Sequence, residues 1–336
     1  MTPAEQLSVG ALPPPKELLG DALPAVLADC RVQVGDIDAI TRLAGGNVSH
    51  VFRVAGVRGS VVLKVRSATF ARIPSLRTDP ALIGDERRAL EVYGALVPSM
   101  FPRVLAFHPQ AHAMIMTDVF PDGRSYEDHL HERAGTPEEL ARLGAAVRHV
   151  HEVTKAVRVP IRSQGDLWFR DYTFDYSLRA SGHPALERAC EELSAQVPQR
   201  LVLGDLAPKN LSLADGRVAF CDLDNVHRSR PLFDVGYLLA HILLHHIGRR
   251  PEHIWTLVSA LLDAYFPDRS PSAPTRALVA TVAAGVIFYR LDNSTVPYRL
   301  AASAGQGRRV RRRVALLLDG GSVTPEGLSN AVAGAA

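Results

Sequence analysis

The chain reads as an α+β protein in two lobes, a small β-rich one followed by a larger, mainly helical one. Three observations lead there. Short apolar runs broken by glycine turns crowd residues 40–65 and return at 104–116. Beyond Pro121-Asp122-Gly123 the apolar residues recur mostly at helical spacing. Where strand signals come back, near residues 211–221, they form one hairpin followed by helices, not alternating βαβ units. Strands gathered ahead of helices are the mark of α+β order. A chain of 336 residues can bury one large or two medium cores. We place the lobes at residues 1–119 and 120–336.

Residues 1–35 form a proline-rich lead and a short helix. Ile40 to Leu43 is a strand, Ala44-Gly45-Gly46-Asn47 a turn, and Val48 to Val54 a second strand. Gly56 to Gly59 reverse the chain into a third, Ser60 to Val65. There Val61, Leu63 and Val65 point one way, Val62 and Lys64 the other. Residues 81–97 have helical spacing, and Val104 to Phe107 and Met114 to Met116 are further strands. Thr136-Pro137-Glu138-Glu139 is a capping box with proline at the first helical position, opening a helix to about Val153. Helices follow at 185–197, 235–247, 253–266, 275–291 and 308–318.

The chemistry-bearing stretch runs from Leu203-Gly204-Asp205 to Asp222-Leu223-Asp224. Its register follows from Asp215-Gly216, because a type I′ hairpin turn needs positive φ at both centres. Leu213 then faces Val218, Leu211 faces Phe220 and Asn210 faces Cys221. The apolar pairs share one face, and Asn210 and Asp222 emerge side by side at the open end. Converging oxygen ligands suit Mg²⁺, which takes few protein ligands and keeps substrate phosphates as the rest.

Composition narrows the classes. A net charge of +3 is too small to argue for nucleic acid. The N-terminus has no signal-peptide pattern, and the longest apolar run, Ala277 to Tyr289, is short of the ~20 residues a membrane helix needs. Cys30, Cys190 and Cys221 are odd in number and far apart, as for reduced thiols in a cytosolic protein. Only Lys16, Lys64, Lys155 and Lys209 are lysines, which makes Lys64 on its strand conspicuous.

A glycine turn, a strand lysine, a helix glutamate, G-D-x-x-x-x-N and D-x-D together resemble the aminoglycoside phosphotransferase and choline kinase-like family. The elements span residues 43 to about 240. The resemblance implies a bilobal protein kinase-like fold and transfer of phosphate from ATP or GTP to a hydroxyl, with Mg²⁺. It implies that Gly45, Gly46 and Asn47 approach the phosphates and that Lys64 binds them, held by Glu86, with Glu91 as the competing partner. The backbone of Thr117 and Val119 would meet the purine. Asp205 would be the base or orienter for the attacking hydroxyl, Asn210 and Asp222 would hold Mg²⁺, and Asp224 would be a further ligand or its support. Asp234 is expected to support the loop or cap the next helix, and Lys209 to be an exposed loop lysine. The family usually has His where this chain has Leu203, which removes one local hydrogen bond.

Residues 225–336 hold 13 Arg, no Lys and seven acids, a balance that disfavours a multiply cationic acceptor. The expected partner is a small hydroxyl compound, neutral or nucleoside-like: an antibiotic, with resistance as the outcome, or a sugar metabolite. Pro74-Ser75-Leu76-Arg77 and Phe233-Asp234-Val235-Gly236 are also similar to methylthioribose kinase. A rival class is a haloacid dehalogenase-like phosphatase with Asp222 as nucleophile, which would need a later phosphate-binding lysine and an alternating α/β domain. A pseudoenzyme or peptide kinase is a third alternative. His241 and His245 read as packed helix histidines rather than zinc ligands, and Arg308 to Arg313 as a solvated face.

Overall fold

The computed structural model describes residues 12–43, 46–195, 199–267, 271–293, 298, 300, 302–321 and 323–333. It divides into two compact units, Met1–Glu91 with Pro102–Asp118, and Val92–Phe101 with Val119–Ala336.

The first unit carries strands β1 (Ile37–Arg42), β2 (His50–Gly56), β3 (Gly59–Val65), β4 (Val104–His108) and β5 (Ala113–Thr117). They form one sheet in the order β1-β2-β3-β5-β4, with every neighbouring pair antiparallel. Helices α1 (Pro15–Leu19) and α2 (Leu23–Val34) precede it, and α3 (Ile83–Leu96) follows β3. Alternation sorts β3 as expected: Val61, Leu63 and Val65 join Phe52, Val54 and Ile115 in one core with Val26, Cys30 and Val34 of α2. Residues 26, 30 and 34 recur at four-residue spacing, so a single helical stripe covers that face. The lead segment thus contributes structure through a longer helix than its sequence promised. The other face of β3 is buried too, with Val62 and Lys64 both enclosed. A central strand covered on both faces cannot leave its lysine in water.

In the second unit the helices are α4 (Tyr126–Glu132), α5 (Pro137–Val153), α6 (Asp166–Ser177), α7 (Pro184–Ser194), α8 (Leu232–His245), α9 (Pro251–Tyr265), α10 (Ala273–Asp292), α11 (Ala304–Asp319) and α12 (Pro325–Ala333). Its short strands are β6 (Arg200–Val202), β7 (Leu211–Ser212), β8 (Ala219–Phe220) and β9 (His227–Ser229). The capping box at Thr136 is formed, with both reciprocal bonds. Helix α8 is buried along its whole length. It lies so close to α10 that a Cβ on Gly236 would stand 2.6 Å from Val282 Cβ. A helix apolar on all sides belongs in the middle of a bundle, and α7 to α12 supply the surrounding core.

Three helices go beyond the sequence expectation. For α4 the signal was present but of a weaker type: Ser125 caps with Asp128 at the third position instead of Glu or Gln. Helix α6 starts after Gly165 with no side-chain cap and is rich in aromatic residues of modest helix propensity. Helix α12 is short and buries Leu328, Val332 and its small residues against the bundle. Among the described residues no helix is long and apolar enough to cross a membrane.

Candidate active site

In the first unit, Lys64 and Glu86 meet. Lys64 Nζ is 2.8 Å from Glu86 Oε1 and 2.7 Å from Oε2, and both side chains are almost completely buried. The competing Glu91 instead pairs with Arg87 on the exposed side of α3. Lys64 sits opposite Val51 and Met114 in the middle of the sheet, and Glu86 lies on the buried side of α3. Gly46 lies where a Cβ would come within 2.7 Å of the Ser49 carbonyl, so the tight turn needs glycine there. The Asn47 carbonyl accepts from Arg72 N at 3.2 Å, tethering the turn. Gly45 lies outside the described residues. Thr117 donates its amide to the Arg103 carbonyl at 3.0 Å, so it offers no free N–H to a base. Its neighbour Asp118 accepts from Arg53 Nε at 2.6 Å and Ser60 Oγ at 3.2 Å, a local anchor that no motif announced.

In the second unit, the hairpin has the derived register. Leu211 faces Phe220, Cys221 N donates to the Asn210 carbonyl at 3.0 Å, and Asp215 and Gly216 have φ of 51° and 73°. A short turn at Pro208–Asn210 carries Asn210, which donates through Nδ2 to the Asp205 carbonyl at 3.0 Å and to Asp205 Oδ2 at 3.2 Å. Those bonds orient the amide, turning its oxygen away from Asp205 and presenting it as a ligand. Asp222 adopts the left-handed region at φ 60°, and a carboxylate oxygen of Asp222 lies within 4.8 Å of one from Asp224. Two carboxylates and an amide oxygen form a hard-oxygen donor set that fits Mg²⁺ or Ca²⁺.

Clamps from outside hold this loop. Asp234, at the start of α8 and wholly buried, accepts from Leu203 N at 2.6 Å and Gly204 N at 2.9 Å. The expected loop-supporting role is therefore met with two backbone bonds. His151 Nε2 lies 3.0 Å from the same carboxylate, and its Nδ1 lies 2.9 Å from the Tyr265 hydroxyl. A histidine on α5 thus contacts the anchoring carboxylate, while Leu203 is packed in the core. Gly204 has φ of 78°, and a Cβ there would meet the Asn225 carbonyl at 2.1 Å. Only glycine lets the Asp205 loop lie against the Asp222-Leu223-Asp224 turn. Arg162 ties the far side, donating to the carbonyls of Val226, at 2.6 Å, and Asp224 while its guanidinium stacks 3.7 Å over the Phe169 ring.

Four side chains contact the Asp205 carboxylate. Its Oδ1 accepts from Tyr237 OH at 2.8 Å and is 3.4 Å from Arg290 Nη2, and its Oδ2 is 3.1 Å from Lys209 Nζ. Burial alone would raise this carboxyl, but Lys209, then Arg290, and the Tyr237 hydroxyl outweigh it and hold Asp205 well below the usual carboxylate range. Lys209 is not the exposed loop lysine expected from its surroundings. It is largely enclosed, and its pairing with Asp205 outweighs burial and raises its ammonium. Tyr237 and Arg290 lie on α8 and α10, far along the chain, with no local signal to mark them. His241 and His245 are buried and share the Tyr298 hydroxyl, as packed histidines do.

Residues 39–274 match the model of the phosphotransferase enzyme family, APH, and the chain belongs to that family. It is a phosphotransferase with a kinase-like α+β fold. None of the curated proteins matches its sequence. Among solved structures, it is similar to an amicoumacin kinase in complex with AMP-PNP, Ca²⁺ and Ami, at 15% identity and a TM-score of 0.60 over 92% of this chain and 96% of that one. A microcompartment-associated aminopropanol kinase is similar at 15% identity and 0.57, over 90% and 99% of the two chains. A choline/ethanolamine kinase family protein from Mesorhizobium loti is similar at 18% and 0.55, over 93% and 99%. At such identities the likeness is one of fold. The second unit is mainly helical, not the alternating α/β domain that the dehalogenase-like alternative required.

Proposed function

We propose that this chain moves the γ-phosphate of ATP or GTP to a hydroxyl of an antibiotic or sugar-containing metabolite, neutral or nucleoside-like, in the cytoplasm. The observation that carries the reading is Asp205. It is an ionised, largely enclosed carboxylate on a loop whose backbone is clamped by Asp234. Phosphoryl transfer demands positioning and charge neutralisation more than covalent chemistry from the protein. Its cationic partners favour the carboxylate form, so Asp205 is placed to orient the acceptor hydroxyl and to receive its proton.

The remaining residues divide the work. Lys64, fixed by Glu86, binds donor phosphate oxygens, and the backbone amides of Gly46 and Asn47 approach them. Asn210 and Asp222 would hold Mg²⁺, with Asp224 completing or supporting the set. Bound there, the ion would neutralise charge on the donor phosphates. Lys209 keeps Asp205 ionised.

A nucleotide-by-acceptor matrix read by mass, scoring the addition of one phosphate, tests the proposal. Asp205→Ala is expected to lower turnover by about 10³-fold with Mg²⁺-nucleotide binding intact. Near-normal turnover in that variant refutes the role of Asp205, and phosphorylation of protein with no small acceptor would favour a peptide kinase.

A further inference from the structure

Arg290, near the end of α10, is only 6% exposed at its side chain and lies against three tyrosines. Its guanidinium carbon is 4.8 Å from the Tyr298 ring centre, 5.0 Å from that of Tyr289 and 5.9 Å from that of Tyr237. Aromatic faces attract cations, and here the protein's own cation takes up that attraction. Arg290 Nη2 donates to Tyr237 OH at 2.8 Å and makes its longer, 3.4 Å contact with Asp205 Oδ1. Its Nε–H is buried and has no hydrogen-bond partner among the described residues.

The four donors around Asp205 show where an acceptor hydroxyl can enter. Lys209 and Asn210 occupy Oδ2 at 3.1 and 3.2 Å, and Tyr237 occupies Oδ1 at 2.8 Å. The Arg290 contact at 3.4 Å is the weakest, so a hydroxyl that donates to Asp205 takes that place. Arg290, still stacked on its rings, then lies against the acceptor beside the reacting oxygen. A guanidinium presents a planar fork of N–H donors and no acceptor. It favours an oxygen that can receive them and repels an ammonium.

We infer that Arg290 is a specificity-determining residue, selecting acceptors with a hydrogen-bond-accepting oxygen beside the reacting hydroxyl and rejecting those with an ammonium there. This rests on the phosphotransferase reading above and adds the chemistry of the acceptor. A row of rings leads from solvent toward this point. Exposed Trp168 stacks on Tyr172 at 5.9 Å, Tyr172 meets Tyr176 at 5.6 Å, and Tyr176 meets Tyr289 at 5.5 Å. These rings offer apolar faces to the body of a ring-containing acceptor, while Arg290 reads the group at the point of reaction.

The test uses N-acetylglucosamine and glucosamine, which place an amide or an ammonium at the same C2 position, and glucuronate, which carries a carboxylate at C6. Binding to the full chain is measured with Mg²⁺ and AMP-PNP present, and phosphate addition with Mg²⁺ and ATP or GTP. Glucosamine is expected to be the weakest, on the order of 100-fold behind the better of the other two, from like-charge repulsion at ~5 Å in a partly enclosed site. Glucosamine against N-acetylglucosamine is the deciding pair, because only the group at C2 differs between them. Arg290→Gln should collapse the preference to within about 5-fold, while Arg290→Lys, which keeps the charge, should preserve the rejection of glucosamine. Equal or tighter binding of glucosamine, or no preference among the three, overturns the inference. If Arg290→Gln fails to fold, the wild-type series decides. Mg²⁺-nucleotide binding is measured separately: its absence overturns the phosphotransferase reading, whereas its presence without acceptor preference overturns only the role of Arg290.

Discussion

The Lys64–Glu86 pair and the Asp205 loop solve one problem, holding a charge inside a protein, by opposite means. Lys64 stands on a regular central strand, and one carboxylate on the following helix meets it with both oxygens. Its position follows from strand alternation and from the salt bridge to Glu86. Asp205 stands on irregular backbone, where Gly204 and Asp222 take positive φ and β6 to β9 contain only two or three residues each. Four side-chain partners surround it, and α8 and a buried arginine fix its loop from outside. On a strand the hydrogen-bond ladder itself fixes where a side chain stands, whereas a loop brings no ladder of its own and relies on side-chain bonds. The first arrangement should therefore lose stability when Glu86 is removed, and the second should degrade in parts.

Removing Glu86 has the largest expected effect on stability. Glu86→Ala removes the carboxylate paired with the buried Lys64 ammonium and should cost about 4 kcal/mol in denaturant unfolding. The double variant Lys64→Met, Glu86→Leu should recover most of that loss, because replacing a buried pair by apolar groups is often neutral. A double variant as unstable as the single one would show that the pair is not self-contained.

Next comes the response of the second unit to acid. His227, in β9, is fully buried between Phe169 and Phe233, and burial pushes its imidazole down to about 4 from its ordinary 6.5. The unfolded chain then binds a proton that the folded chain refuses. Stability should be level above pH 6.5 and fall as pH drops from there toward 4, by about 3 kcal/mol for this group. Burial lowers His246 in the same direction, also to about 4. Denaturant midpoints at pH 7, 5.5 and 4.5 measure the slope, and His227→Gln should flatten part of it. An unchanged slope in that variant assigns the acid sensitivity to other groups.

The smallest effect on stability is expected from the loop glycine. Gly204→Ala combines a positive φ with a 2.1 Å approach to the Asn225 carbonyl and should cost about 2 kcal/mol or more. It should lower turnover more than its stability loss explains, because it shifts Asp205 against Asp222. Full activity with a normal melting temperature would mean that the loop tolerates displacement and that the contrast drawn above is too strong.

Local rules carried much of this molecule. The Thr136 capping box marked where α5 begins, the Asp215-Gly216 pair set the hairpin register, and alternation along β3 assigned Lys64 to the face opposite the α2 core. Each signal acts over a few residues, through turn geometry, capping or side-chain period, and so survives in the linear order of residues. The acidic residues of the loop were legible for the same reason, since their spacing is set by one short hairpin. Lys209 was misread because its burial depends on neighbours that local spacing does not reveal. Tyr237 and Arg290 stayed hidden because α8 and α10 meet through side-chain packing, and packing has no period that points from residue 205 to residue 290.

What the order of amino acids determined alone is therefore the list of parts: the strand lysine, the helix carboxylate, the hairpin and its oxygen donors. The charge environment of Asp205 was decided only by tertiary structure. Desolvation and Coulomb attraction act through space, and the two cations that hold it ionised come from its own loop and from a helix 85 positions away.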